Sequence, residues 1–120
     1  MQFTTHNDAV IETSGTSLRG YIDCFYSDLV DTFGYPLSTD FLDHKTDAEW
    51  NICFEDGTRA TIYNWKNGKR YLGAMGLDVC DIAQWHIGGF DVKAVELVTK
   101  AVNEVRSKAG YEDVAVGFQS

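Results

Sequence analysis

Hydrophobic and polar residues alternate most clearly over residues 48–64. Asp56 and Gly57 stand between two runs that are rich in β-branched and aromatic residues, and this arrangement is typical of a β-hairpin. A three-residue loop that starts at Glu55 and places Gly57 in the left-handed conformation of a G1 bulge keeps apolar residues opposite apolar residues. The pairs that this register predicts are Phe54–Thr58, Ile52–Ala60 and Trp50–Ile62.

This register gives the hairpin two different faces, because successive side chains of a strand point to opposite sides of a sheet. The apolar face carries Ala48, Trp50, Ile52, Phe54, Ala60 and Ile62. The polar face carries Glu49, Asn51, Cys53, Arg59, Thr61, Tyr63 and Trp65. We expect the apolar face to be the core side of the sheet.

Valine and alanine recur at helical spacing near the end of the chain, which predicts a long amphipathic helix. Asp91 is suited to cap its first turn, and Gly110 marks its end. The stripe that would face the core consists of Val92, Ala94, Val95, Val98, Ala101, Val102 and Val105. A shorter helix is predicted over residues 28–33, with Ser27 as its N-cap and Gly34 just beyond its end.

Three further strands are predicted outside the hairpin. Residues 9–11 and 17–22 form the first two, separated by a turn, and residues 82–87 form a fifth strand that two glycines end. In residues 37–47 and 66–81, apolar residues do not recur at the spacing of a helix or a strand. We interpret residues 37–47 as a loop and residues 66–81 as a long irregular segment, which we call the excursion 66–81. Long loops in small domains are often functional.

Together these elements predict one domain over residues 1–120 with an α+β fold. The fold would be an antiparallel sheet of about five strands, with the long C-terminal helix packed on one face and the short helix between strands two and three. A chain of 120 residues has room for a single hydrophobic core. We expect residues 1–8 and 111–120 to be mobile, or the latter to add an edge strand.

The net charge of −8 opposes the neutralisation of phosphates on which nucleic-acid binding depends, so we expect no nucleic-acid partner. The same charge suits either the binding of a basic protein surface or solubility alone. No stretch is long and apolar enough for a membrane span, and the first residues do not resemble a signal peptide. Cys24, Cys53 and Cys80 form no close pair, which indicates a reducing, cytoplasmic location.

The polar face of the hairpin is the main candidate for function. Together with the outward side of the fifth strand, it offers donors and acceptors bordered by aromatic rings, a composition typical of recognition surfaces. The predicted binding residues are Glu49, Asn51, Arg59, Thr61, Tyr63, Trp65 and His86. The alternative is a solvated sheet face whose cross-strand pairs contribute only stability.

Other chemistry is weakly indicated. The turn from Gly88 to Asp91 resembles an anion cradle at a helix N-terminus, but it lacks a phosphate-binding motif, and Asp91 would occupy the positive end of the helix. Cys53 and His86 would form a Cys–His pair if their strands lay side by side. The histidines and carboxylates match no metal motif. We therefore predict neither metal nor cofactor, and a non-enzymatic role is preferred to an enzyme.

Several short motifs follow one another in order: Thr16–Ile22, Asp28–Val30, Phe33–Pro36, Ala48–Trp50, Phe54–Thr58, Ala60–Tyr63 and Trp85–Gly89. This succession resembles a family of small hypothetical proteins of tailed bacteriophages and marine viral sequence, over roughly residues 13–98. The resemblance implies a viral accessory protein that acts inside a bacterial host, and it implies no catalytic residues. Tyr35 and His44 depart from the family pattern, which has an acidic residue and a glycine there.

Two functions remain open from the sequence. The leading hypothesis is a non-enzymatic accessory protein that binds a host or viral protein through the polar-aromatic sheet face, in the cytoplasm of the host cell. The alternative is a small-ligand or nucleotide-binding protein that uses residues 66–91, with a site that two subunits of a homo-oligomer would share.

Overall fold

The computed structural model describes residues 1–119, in which helices cover one face of a six-stranded antiparallel sheet. The strands are β1 (Phe3–Thr5), β2 (Ser17–Asp23), β3 (Glu49–Phe54), β4 (Arg59–Tyr63), β5 (Trp85–Gly89) and β6 (Ala115–Phe118). The helices are α1 (Tyr26–Phe33), α2 (Lys69–Leu72) and α3 (Lys93–Lys108). The strand order is β1-β3-β4-β5-β2-β6. The predicted α+β class is therefore confirmed, with six strands instead of about five.

The hairpin of β3 and β4 has the predicted register. Trp50 pairs with Ile62 and Ile52 pairs with Ala60. Gly57 takes a φ of 89°, the left-handed conformation that the bulge requires and that glycine adopts without a steric penalty. The turn at Gly57 and the alternation of apolar and polar side chains involve only neighbouring residues of the hairpin. The register is therefore determined by the local sequence.

The core lies between the apolar face of the sheet and the helices α1 and α3. Helix α3 buries most of the predicted stripe, namely Ala94, Val95, Val98, Ala101 and Val102. Val92 is an exception, because it is the N-cap residue and its side chain is 45% exposed. Burial of this stripe supplies stability in proportion to the apolar area removed from water, at ~25 cal/mol per Å².

Trp50 is fully buried, as the alternation predicted, and its contacts involve α1 and β5. Its indole Nε1 donates to the carbonyl oxygen of Gly34, the residue that ends α1, at 2.8 Å. The centre of its ring lies 5.7 Å from that of Tyr26 and 5.4 Å from that of Trp85. The short helix α1 therefore covers the part of the apolar sheet face around Trp50.

Two predicted strands are placed differently in the structure. Residues 9–11 form no strand, and Phe3–Thr5 instead pairs with the otherwise free edge of β3. Strand β5 begins at Trp85, later than predicted, and it continues through Gly88 to Gly89, so both glycines belong to the strand. Glycine disfavours an isolated strand, but here β4 and β2 pair with β5 on both sides and hold its backbone extended.

Helix α1 begins at Tyr26, earlier than predicted, and Ser27 is not its cap. The carboxylate of Asp28 accepts a hydrogen bond from the backbone N–H of Phe25 at 2.9 Å. The other oxygen of this carboxylate bonds the Arg106 guanidinium at 2.9 Å. One acidic side chain therefore caps α1 and joins it to α3.

The segments expected to lack regular structure contain short elements. Residues 66–81 hold α2 and two 3₁₀ turns. Strand β6 pairs with β2 at the edge of the sheet, which is the second of the two alternatives expected for residues 111–120, and Ser120 lies outside the described residues. Within residues 1–119, no helix combines the length and the apolar character needed to cross a membrane.

Candidate binding site

The polar side chains of the sheet stand in rows across neighbouring strands, because paired residues lie side by side. One row consists of Glu49, Tyr63, His86 and Tyr21, on β3, β4, β5 and β2. The next row consists of Asn51, Thr61, Gly88 and Leu18, on the same strands. The strand order thus brings His86 beside Tyr63, although the two are distant in the sequence.

A cavity of about 400 Å³ lies over these two rows, and we call it the sheet cavity. Its floor is the polar face of β4 and β5, and its walls come from residues 13–18 and 43–46. The volume falls within the range of ~300 to 1,000 Å³ that ligand-binding pockets usually have. Five of the seven predicted binding residues line it: Glu49, Thr61, Tyr63, Trp65 and His86.

The floor of the sheet cavity is open because Gly88 has no side chain. A β-carbon added at this position would lie 2.5 Å from Thr61 Oγ1, which is closer than real contacts allow. Thr61 is only 7% exposed and Thr46, in the wall, is 4% exposed. Neither hydroxyl has a hydrogen-bond partner within residues 1–119, and neither is among the polar atoms there that are shut off from solvent, so both are open to the cavity, where a ligand group would replace water.

His86 lies between two tyrosine rings at the side of the sheet cavity. Its ring centre is 5.1 Å from that of Tyr21 and 5.3 Å from that of Tyr63, and both pairs are edge-to-face. Burial lowers the pKa of His86. Burial also raises the pKa of Tyr63, and the nearby Glu49 carboxylate and Tyr21 add to this shift. These directions favour a neutral imidazole beside a neutral phenol.

Glu49 is the half-buried carboxylate of the sheet cavity. Burial raises its pKa, and repulsion from the Asp43 carboxylate raises it further. The Asn51 amide nitrogen, in the orientation that satisfies its neighbours, donates to Glu49 Oε2 at 3.2 Å. No lysine or arginine within residues 1–119 forms an ion pair with Glu49 or Asp43, so the negative charge on this wall is uncompensated.

Trp65 forms the rim of the sheet cavity. Its ring centre lies 6.4 Å from that of Tyr63, and the two rings are nearly perpendicular. The ammonium groups of Lys45 and Lys66 lie 5.5 and 5.8 Å from the centre of the Trp65 ring, within the range of cation–π attraction. Neither lysine lines the cavity.

Asn51 and Arg59, the other two predicted binding residues, do not line the sheet cavity. The backbone N–H of Asn51 donates to His6 Nδ1 at 3.2 Å. Arg59 Nη1 donates to the carbonyl oxygen of Glu12 at 2.8 Å. Arg59 therefore ties the segment that leads into the wall at residues 13–18 to the sheet, which is a positioning role.

The sequence did not indicate seven residues that line the sheet cavity: Thr13, Thr16, Ser17, Leu18, Asp43, Thr46 and Gly88. We interpreted residues 13–16 as a turn, Asp43 as a solvated loop charge and Gly88 as the end of a strand. Each interpretation describes only the local backbone, and none says where these residues lie relative to the polar face of the sheet. The pairing of β2 with β5 brings Ser17, Leu18 and Gly88 to the site, and the tertiary positions of the two loops bring the other four residues there.

The other candidates from the sequence are not assembled. Cys53 pairs with Arg59 at the far end of the hairpin, whereas His86 pairs with Tyr63, so no Cys–His pair forms. Asp91 Oδ1 accepts from the backbone N–H of Lys93 at 2.9 Å and so occupies the start of α3. Within residues 1–119, no group of three or more His, Cys, Asp or Glu side chains is arranged to hold a metal ion.

A second cavity of about 500 Å³ lies between the excursion 66–81 and residues 35–39. Lys69 and Arg70 contribute to its lining. Lys69 Nζ pairs with Asp78 at 2.9 Å, and Arg70 Nη1 donates to the carbonyl oxygen of Thr39 at 3.0 Å. Both cations therefore already have partners in the protein, which leaves less positive charge for a phosphate.

Comparison with family models, with curated proteins and with solved structures gives no match for this chain.

Proposed function

We propose that this chain is a binding protein that takes up a partner protein on the polar-aromatic face of its sheet, with one side chain of the partner inserted into the sheet cavity. The observation that carries the proposal is the pair of threonines, Thr46 and Thr61, which line this cavity with only 4% and 7% of their surface exposed and whose hydroxyls have no hydrogen-bond partner in residues 1–119. Unpaired polar groups in a concave, aromatic-lined site favour the uptake of a ligand group.

The shape of the face favours an inserted group over a flat contact. Residues 13–18 and 43–46 line the sheet cavity together with the polar face of the sheet, so this face has a recess here. A partner that lay flat across it would leave the floor at Thr61 and Gly88 empty. Hot spots of protein interfaces are usually anchor side chains that fill such pockets.

Binding is favoured over catalysis by the environment of His86, the one imidazole of the sheet cavity. Within residues 1–119, no hydroxyl or thiol donates a hydrogen bond to its ring. Its neighbours are the rings of Tyr21 and Tyr63. A protein nucleophile that His86 activates would have to lie within hydrogen-bond reach of its ring, and aromatic rings are its neighbours instead.

We place this role in a phage-type accessory protein because of the succession of sequence motifs. On that basis the partner is a host or viral protein in the cytoplasm of the host cell. The net charge of −8 is suited to a partner with a basic surface, since opposite charges raise the rate of encounter.

The test is a selection from a random peptide display library on the immobilised full chain. We expect enriched peptides that bind the wild type and lose binding to Gly88→Ala, which fills the cavity floor, and to Thr61→Val, which removes one hydroxyl at nearly constant volume. The matched control is Lys100→Ala on the exposed side of α3, which should keep full binding. Failure to enrich any peptide, or equal binding to Gly88→Ala, would contradict the proposal.

Small-ligand binding at the second cavity is a further candidate function, favoured by the position of that cavity beside the excursion 66–81. A ligand that binds only the folded chain raises its melting temperature. A thermal-shift screen with nucleotides and metabolites tests it. An upshift that Leu77→Ala in the cavity lining reduces would support this function, and a screen without any shift would count against it.

A further inference from the structure

We infer that the group taken up by the sheet cavity is the cationic side chain of a lysine or arginine in a basic segment of the partner. This inference rests on the proposed function and gives it a chemical class. Three features of the cavity lead to it: the sign of its charges, the aromatic rings around it and the unpaired hydroxyls in its floor and wall.

The charged side chains that line the sheet cavity are both carboxylates, Glu49 and Asp43. Burial raises the pKa of Glu49, and the Asp43 carboxylate is close enough to add to this shift. No cation within residues 1–119 pairs with either. A bound ammonium or guanidinium would relieve this repulsion, whereas an anion would increase it.

The aromatic rings of the site provide the second feature. Tyr63 lies in the floor and Trp65 at the rim, and the negative faces of such rings attract cations. Lys45 and Lys66 already place their ammonium groups over Trp65 from outside the cavity. The protein itself thus uses this corner to hold alkylammonium groups.

The hydroxyls of Thr46 and Thr61 provide the third feature. Their residues are 4% and 7% exposed, and each hydroxyl oxygen has lone pairs that accept hydrogen bonds. Lysine and arginine side chains carry only donors. A cationic side chain in the cavity would therefore find acceptors in the floor, in the wall and at Glu49, while its methylene groups pack against Tyr63.

Other occupants fit less well. A phosphate or carboxylate group would face two carboxylates and no cation in the lining. A purely aliphatic side chain would leave the hydroxyls of Thr46 and Thr61 unpaired and more deeply buried, which is costly. The cation is the occupant that satisfies both the charges and the hydroxyls.

The experiment is an NMR titration of the full chain with three probes: N-acetyl-lysine methylamide, N-acetyl-arginine methylamide and the uncharged N-acetyl-norleucine methylamide. The indole N–H signal of Trp65 reports on the rim. We expect at least one of the cationic probes to shift this signal saturably. The norleucine probe should not, and added salt should weaken the effect because ions screen charges.

Glu49→Gln should weaken binding of the cationic probe about tenfold or more, since hydrogen bonds to charged groups are the stronger ones. Glu96→Gln, the same change at an exposed residue of α3, is the control and should leave binding unchanged. Melting curves of both variants check that they fold. Asp43→Asn, in the loop wall, tests the second carboxylate should Glu49→Gln fail to fold.

The outcomes separate this inference from the proposed function. Peptides that are selected on the chain and anchored by a neutral residue, together with silent cationic probes, would overturn the inference and leave the binding function standing. Equal binding of norleucine and lysine probes would also overturn it. Cationic probes that bind through Glu49 while no peptide is ever selected would contradict a protein partner, and the inference would then be overturned in its choice of a partner side chain although the cavity prefers cations.

Discussion

Thr61 on β4 and Gly88 on β5 lie directly opposite each other, and a β-carbon at position 88 would lie 2.5 Å from Thr61 Oγ1. The next obstacle, the carbonyl oxygen of Ser17, would be 3.4 Å away. The threonine hydroxyl and the missing side chain of the glycine are thus mutually dependent. Together they leave the floor of the sheet cavity both open and polar.

This relationship predicts a coupling between the two positions. Gly88→Ala should destabilise the protein by ~1 to 3 kcal/mol, because the added methyl group forces Thr61 or the strands to move. The same change in a Thr61→Ala background should cost distinctly less. Urea unfolding of the two single variants and the double variant measures the coupling free energy.

Thr61→Ser supplies the control for this cycle, since serine keeps the hydroxyl oxygen. In the serine background Gly88→Ala should remain nearly as costly as in the wild type. Additive costs in the alanine background would show that the close approach to Thr61 is not what restricts position 88.

Replacement of Trp50 and of Trp85 by phenylalanine should destabilise the protein to different extents. Both side chains are fully buried, but Trp50 Nε1 donates to the Gly34 carbonyl, whereas Trp85 Nε1 has no partner within residues 1–119. Trp50→Phe should therefore destabilise the protein by ~1 to 2 kcal/mol more than Trp85→Phe, because only the first leaves a backbone acceptor without its donor. Chemical unfolding of both variants gives the comparison.

Trp50→Ala extends this test to the packing of the core. Its loss of a large buried side chain should cost ~3 to 5 kcal/mol. Unchanged unfolding of the alanine variant, or equal costs for the two phenylalanine variants, would contradict the assigned contacts.

Asp56 predicts a pH dependence of stability. Its carboxylate accepts hydrogen bonds from the Lys93 ammonium and from the backbone N–H of Thr58, which lower its pKa from 3.8 to about 2. A lowered pKa in the folded state stabilises the protein above the pKa of the unfolded state, and this stabilisation is lost as the pH falls from about 4 to about 2. The wild type should therefore be more stable than Asp56→Asn above about pH 4, and the free energies of unfolding of the two proteins should approach each other as the pH falls to about 2.

Lys93→Met tests the cause of that shift. In this variant the NMR-detected pKa of Asp56 should rise toward its ordinary value, because the first of its two hydrogen-bond donors is gone. A carboxyl that still titrates near pH 2 would assign the effect to the turn at Thr58 instead.

The sequence by itself determined the features that depend on neighbouring residues. Alternation over residues 48–64 and the left-handed Gly57 fixed the hairpin and the two faces of its strands. The same alternation placed Glu49, Thr61 and Tyr63 on one face, where they line the sheet cavity. The valine and alanine spacing fixed the long helix in the same way. The periodicity of apolar residues and the preferences of turn-forming residues depend only on a few neighbouring residues, so a single sequence is enough to identify the hairpin and the helix.

The tertiary structure alone decided which elements lie side by side. The strand order β4-β5-β2 places Gly88 against Thr61, and two distant loops close over them to form the cavity. It also made a strand of Phe3–Thr5, which has no pattern of its own and pairs with the free edge of β3. Such pairings form when contacts between residues far apart in the sequence outweigh the chain entropy that is lost on bringing them together. A local sequence pattern does not specify these contacts.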